Sequence, residues 1–308
     1  MEHVKVTIIG SGPAGYTAGI YSSRAKLKPI LFAGDKPGGQ LMNTTLVENW
    51  PGTESGVMGP ELMTEMRKQA VKFGVEIIDK KVTQVDFSGE LKKIWVGDEL
   101  FEAETVIVAT GAAGIMSGVP GEKEFLGKGV ATCAVCDAPF YREKVAMVIG
   151  GGDAAIEDAM ALTKFASKVY LVHRRDKLRA SKVMAERVMN AEKVEILWNS
   201  ELKKVLGDKL VERVEIFNNK TDQTQEIETS GVFLAIGHKP VTAIFKDQLD
   251  LDEKGFIKTK LSYPAVTATS VDGVFAAGDV VDHRYKQAIT SAGMGCQAAL
   301  DAERWLEK

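Results

Sequence analysis

The chain is short of the residues that hold metals or covalent staples. Its 308 residues include three cysteines and four histidines. Cys133 and Cys136 form a CxxC, and Cys296 stands apart. A tetrahedral zinc site asks for four ligands, commonly two CxxC pairs or one CxxC with a spaced pair of histidines. His3, His173, His238 and His283 are scattered, so no metal is expected. No apolar run approaches the ~18 residues that a spanning helix needs, and no membrane association is expected. The net charge of -3 gives no positive field to gather nucleic acid. The amino terminus, MEHVKVTIIG, enters an apolar strand without the basic region of a signal peptide, which predicts a cytoplasmic protein. In a reducing compartment a CxxC is more often catalytic or metal-binding than a permanent staple. A redox pair is therefore favoured over a structural cystine.

What is present points to nucleotides. At this length two domains are the better prior, and 45% hydrophobic with 26% charged residues suits a folded globular chain. Two segments share one order of elements: Val6–Gly34 and Val145–Arg175 each carry a β-branched run, a glycine cluster, helix formers and a second apolar run. That is the order of a βαβ unit. In the first, Gly10, Gly12 and Gly15 make GxGxxG, with Pro13 and Ala14 between. In the second, Gly150, Gly152 and Ala155 fill the same places, with Asp153 and Ala154 between. Such glycines allow a tight turn, close approach to a pyrophosphate and helix–strand packing, with the helix amino terminus facing the phosphates.

The two copies differ at the end of the second strand. A free ribose 2′-hydroxyl usually meets an acid there, and a 2′-phosphate needs positive charge. The second copy ends in HRRDKLR, so His173, Arg174, Arg175 and Arg179 predict NADPH rather than NADH. The first ends at Ala33 and Gly34 with no acid before Asp35. Matching strands ending in glycine follow at Glu104–Gly111 and Gly231–Gly237, and a third relative, GVFAAGD, lies at Gly273–Asp279 without a glycine motif before it. The simplest parse has one domain interrupted by the other: residues 1–115, then 116–243, then 244–308 completing the first.

GSGPAGYTA, GGQL, VENWPG, ATG, CAVCD, GGGDAA, HRRDKLRAS, AIGH, FAAGDV and QAITSAGMGC, in that order, resemble the low-molecular-weight NADPH-dependent thioredoxin reductases of the pyridine nucleotide-disulfide oxidoreductase class. The resemblance implies an α/β fold of two Rossmann-like, three-layer (ββα) domains, a bound FAD, a homodimer and thioredoxin as the protein substrate. It places FAD at Gly10, Gly12, Pro13, Ala14, Gly15, Gly39, Gln40, Asn49, Thr110 and Gly111 in the first part. Gly278, Asp279, Lys286, Gln287 and Ala288 complete that site in the last part. Some members have arginine where Lys286 stands. The NADPH residues it implies are Gly150, Gly152, Asp153, Ala154, His173, Arg174, Arg175 and Arg179, in the inserted domain with the CxxC. Cys136 is then the sulfur nearest the flavin, Cys133 exchanges with the partner disulfide, and Asp137 is the general acid and base.

A flavin also follows from chemistry, since a hydride donor and a disulfide need an intermediary able to serve both. Because the CxxC and the NADPH residues share a domain, they must take turns at the flavin, and the inserted domain is expected to rotate between half-reactions. Cys296, in a helix of small residues, is expected to pack as a small hydrophobe, and His238 to be structural. The chain departs from the family after the CxxC, with Ala138, Pro139 and Phe140 where glycine and aromatics are frequent. That keeps another acceptor, a peroxiredoxin or a glutaredoxin-like protein, as the competing enzyme reading. A nonenzymatic NADPH-sensing flavoprotein is the reading from a different class.

Overall fold

The computed structural model describes residues 2–44, 46–260, 262 and 264–308. Among these residues the helices are α1 (Pro13–Arg24), α2 (Gly59–Lys72), α3 (Ala134–Asp137), α4 (Asp153–Thr163), α5 (Lys182–Met189) and α6 (Ala288–Leu306), with short 3-10 turns such as Gly39–Asn43 and Ala138–Tyr141. The chain divides into two compact units, one made of residues 1–113 with 239–308 and the other of 114–238.

In the first unit a sheet runs in the order Glu76–Ile78, Ile30–Phe32, Glu2–Ile9, Glu99–Val108, Lys92–Val96, Gln84–Asp86. Its first four strands are parallel and the last two are antiparallel. Val274–Ala276 pairs in parallel with Glu99–Val108, so the carboxy-terminal segment belongs to this sheet. Alternate side chains point to opposite faces of a strand, and both faces are buried here. Val6, Ile8, Leu31, Ile107 and Phe275 pack with α1, α2 and α6. Ile9, Ile30, Phe32, Val106 and Val108 pack on the other side with Val85, Ile94, Phe101 and Phe245. Continuous β-branched runs such as VTII and TVIVA are the composition that two-sided burial requires.

The second unit repeats the scheme. Its parallel sheet orders Val130–Ala131, Gly231–Leu234, Val145–Ile149, Lys168–His173, Val194–Trp198. Ala146, Val148, Leu171 and Phe233 face α4 through Ile156, Ala159 and Leu162. Met147, Ile149, Val172, Val232 and Leu234 face the other way, onto Leu202, Val205, Val214 and Ile216. Those four come from an antiparallel meander, Ser200–Gly207, Val211–Asn218 and Gln223–Glu228. Each unit is therefore a parallel sheet with helices on one face and antiparallel strands or loops on the other, the Rossmann-like three-layer arrangement. Among the described residues no helix is long and apolar enough to cross a membrane.

Candidate active site and nucleotide loops

The first glycine loop is fixed from three sides. The Gly10 amide donates to the Phe32 carbonyl at 2.9 Å. Ser11 Oγ donates to the Ala33 carbonyl at 2.8 Å and accepts from the Gly38 amide at 3.0 Å. α1 starts at Pro13, with no acid in its first turn and no side chain capping it, so its amino end keeps its positive character. A Cβ at Gly15 would fall on the Gly10 carbonyl, whereas a Cβ at Gly12 would meet nothing within 4 Å. The space over Gly12 is the opening a pyrophosphate needs.

The remaining flavin candidates in this unit are held at several places. A Cβ on Gly39 would lie 3.2 Å from the Gly12 Cα, and one on Gly278 would lie 2.9 Å from the Ala14 Cβ. Gly39, Gly278 and Asp279 thus surround the start of α1. Asn49 Nδ2 donates to Gln287 Oε1 at 3.3 Å. Gln287 caps α6 reciprocally with Thr290, placing Ala288 at the first helical position. Thr110 Oγ1 donates to the Val241 carbonyl at 2.7 Å, and the Gly111 carbonyl accepts the Val241 amide at 3.0 Å. Asp282 accepts the amides of Arg284, Tyr285 and Lys286, which holds Lys286 in a left-handed conformation at φ 50°. Gln40 is exposed on its 3-10 turn. Ser11 and Ser291 were missed from sequence. Ser11 lies inside the glycine motif itself, while Ser291 reaches Asp279 across twelve residues with no local signal.

Asp279 is partly buried, and desolvation pushes its carboxyl up to about 6, against a hydrogen bond from Ser291 Oγ at 2.9 Å that lowers it. The unfolded chain releases this proton near 3.8, so the native state holds more protons between about 4 and 6. Stability of the flavin-free protein contributed by the neutral acid is complete below about pH 4 and lost as the pH rises through about 6. Asp279→Asn should remove that dependence, worth about 3 kcal/mol. Urea unfolding at pH 4.5 and pH 7 checks it, and equal pH slopes for the two proteins would exclude a raised Asp279.

In the second unit the Gly150 amide donates to the Val172 carbonyl at 3.0 Å. Gly152, like Gly12, has open space where a Cβ would project, and Ala154 follows within the first turn of α4. The third position differs. Ala155 is fully buried, and its Cβ occupies the room left by the missing side chain of Gly150. Gly12→Ala and Gly152→Ala should fold like the parent because both backbones are extended, at φ -69° and -98°. Each should lose nucleotide only at its own loop, whereas Gly15→Ala should not fold. Flavin content, NADP+ affinity and melting temperature separate the three outcomes.

Arg174, Arg175 and Arg179 are exposed, and among the described residues none has an ion-pair partner. Their segment is held through its backbone: Arg179 N–H donates to the Gly151 carbonyl at 2.7 Å, Asn219 Nδ2 to the Arg174 carbonyl at 3.0 Å, and the Asn199 amide to the Arg175 carbonyl at 3.1 Å. His173 lies beneath. It is 4% exposed, its Nε2 is 3.0 Å from the Lys177 carbonyl, and a Cβ on Gly151 would overlap its ring. Burial, then the nearby Arg179 and Arg175 charges, hold the imidazole below its ordinary pKa, opposed by contacts to the Lys177 and Gly150 backbone.

Cys133 and Cys136 are joined as a disulfide, with Cα atoms 5.4 Å apart. Cys133 precedes α3 in extended conformation and Cys136 lies within it; both are half-buried. Asp137 ends α3. Its charge reaches Tyr141, whose hydroxyl is pushed upward first by burial and then by that carboxylate. Ala134 and Ala138 pack in one core with Ala155, Ile156 and Ala159, so the disulfide and the second glycine loop belong to one packed unit. Cys296 in α6 is a half-buried free thiol rather than a packed core residue, and half-buried His238 sits in a strand, His238–Pro240, where the chain passes between the units. Among the described residues no group of three His, Cys, Asp or Glu could hold a metal.

The sequence pattern of the pyridine nucleotide-disulphide oxidoreductases matches residues 4–295. The chain is 52% identical over 314 residues to the thioredoxin reductase of Chlamydia trachomatis, with 100% of both chains covered. It is 50% identical over 301 residues to that of Mycolicibacterium smegmatis, covering 98% of this chain and 96% of the relative. Among solved structures, thioredoxin reductase from Giardia duodenalis superposes with a TM-score of 0.93 at 46% identity over 100% of each chain. Two glycine loops of one design, a CxxC disulfide sharing a core with the second loop, and identity running from end to end lead to one assignment: the chain belongs to the pyridine nucleotide-disulphide oxidoreductase family.

Proposed function

We propose that the chain is a flavoenzyme that passes reducing equivalents from NADPH to oxidised thioredoxin through the Cys133–Cys136 pair. The observation that carries the reading is a closed CxxC disulfide in the same packed body as a glycine loop flanked by three exposed guanidiniums. Membership of the family implies FAD and NADPH, and relatives about half identical over their whole length bear the name thioredoxin reductase. The residues fit both cofactors: open space over Gly12 and Gly152 would admit a pyrophosphate, and an uncapped helix amino terminus stands at each. In this reading the unit of residues 1–113 and 239–308 is the FAD domain and that of 114–238 the NADPH domain, against the boundaries of 1–115, 116–243 and 244–308 expected from sequence. When bound, the pair of cofactors supplies the conversion of a hydride into electrons a disulfide can accept.

The protein's own groups perform the rest. Gly10–Gly15, Asn49, Asp279 and Gln287 hold FAD; Arg174, Arg175 and Arg179 receive the 2′-phosphate. Reduction of the disulfide takes two electrons and two protons and leaves two thiols. The Cys133 thiolate attacks one sulfur of the substrate disulfide and breaks it, forming a mixed disulfide. Cys136 then attacks Cys133 Sγ, restoring the pair and releasing the substrate as a dithiol. Asp137, next to Cys136, takes and returns the protons.

Cys133–Cys136 and the second glycine loop move as one body, and the chain crosses between the units only at 113/114 and 238/239. Presenting the disulfide and presenting the nicotinamide to one flavin ring are then alternatives, and the second unit turns about those crossings between half-reactions. The test is NADPH oxidation with thioredoxin and, separately, with a glutaredoxin or peroxiredoxin as acceptor. Faster turnover with thioredoxin is expected; turnover with another acceptor alone would reassign the substrate.

A further inference from the structure

We propose that Ser181 is a specificity-determining positioning residue for the dinucleotide, because it fixes Asp153 and so ties the arginine segment to the glycine loop. The inference rests on the NADPH reading given above.

Asp153 opens α4 directly after Gly152, where the first glycine loop has Pro13. A carboxylate at a helix amino end is favourable by itself. At an end that must also receive a pyrophosphate it repels the ligand unless it is turned aside. Ser181 turns it aside: its amide and its hydroxyl both donate to Asp153 Oδ1, each at 2.9 Å.

Ser181 stands at the N-cap of α5, where a serine hydroxyl ordinarily accepts a backbone N–H of its own helix. Here no side chain caps α5, and the hydroxyl donates across 28 residues to Asp153 instead. The segment from 174 to 181 is thereby tied at its far end. Its middle is tied by Arg179 N–H on the Gly151 carbonyl and by His173 against the Lys177 carbonyl, and its near end by Asn219 Nδ2 on the Arg174 carbonyl. Three exposed guanidiniums, without ion-pair partners among the described residues, ride on it. A ligand that touches this segment gains when the segment is ordered beforehand, and a ligand that does not touch it gains nothing. The latch therefore acts on nucleotides with a 2′-phosphate and spares those without one.

Calorimetric binding of NADP+ and NAD+ to the FAD-loaded enzyme tests this without turnover. Ser181→Ala should weaken NADP+ about fivefold and leave NAD+ within about twofold, and Ser181→Thr should restore the wild-type ratio. Asp153→Asn, which keeps the accepting oxygen and drops the charge, should tighten both nucleotides and preserve their ratio. Equal weakening of both nucleotides by Ser181→Ala, no weakening at all, or a collapsed ratio in Asp153→Asn overturns the inference. A wild-type preference for NADP+ that Ser181→Ala leaves undiminished overturns it alone. A wild-type enzyme with no such preference overturns the NADPH reading and the inference together.

Discussion

Cys133→Ser should abolish reduction of thioredoxin while leaving NADPH-dependent bleaching of the flavin intact. A hydroxyl cannot form the mixed disulfide, so the loss is that of a nucleophile, about a thousandfold or more. The variant should still fold. Closing a loop of three residues' separation contributes about 2 kcal/mol on the chain-entropy estimate, less than the roughly 5–15 kcal/mol stability of a typical domain. The neighbouring core around Ala134 and Ala138 does not depend on the sulfurs. Cys136→Ser should fail differently: Cys133 still attacks, nothing resolves the product, and a covalent adduct with thioredoxin accumulates. Intact mass spectrometry distinguishes the two. An adduct from Cys133→Ser and none from Cys136→Ser would reverse the assigned roles.

The second large effect concerns the nucleotide. Arg174 and Arg175 project from a segment whose backbone is held by Asn219 and Asn199, so truncating their side chains leaves the loop in place. Each charge-assisted contact to a phosphate is worth about 1.5–3 kcal/mol. Arg174→Ala/Arg175→Ala should therefore raise KM for NADPH by about a hundredfold to ten-thousandfold. Maximal turnover should change little, because these contacts are made equally in the ground and transition states. NADH, with no 2′-phosphate, should be used as before. Steady-state kinetics with both nucleotides measures the switch. A parallel loss with NADH would mean that the arginines hold the loop and not the phosphate.

The glycine clusters, the β-branched strands on either side and the order of the motifs were legible because each is local: a backbone that must approach a phosphate excludes a Cβ, and a strand buried on two faces must be apolar throughout. The CxxC was legible for the same reason. Bonds between residues far apart in sequence were not. Ser291 meets Asp279 only because α6 returns to α1, with Gly295 against the Ala14 backbone. Ser181 meets Asp153 only because two helices start side by side. Cys296 is a half-buried thiol, and a helix half of whose residues are small gives little sequence signal of how deeply that position is covered. His173, expected among the residues at the nucleotide, has its ring buried against Gly151, under the loop that the arginines extend. The meander from Ser200 to Glu228 alternates in burial only on its first two strands, so its role as the second covering layer emerges from the fold.

Where the electrons of NADPH come to rest decides between a disulfide relay and any other role. One equivalent of NADPH, added without oxygen to the FAD-loaded oxidised enzyme and followed by quenching in denaturant, should raise the free thiols from one per chain, Cys296, to three. Consumption of the nucleotide with the thiol count still at one would contradict the relay.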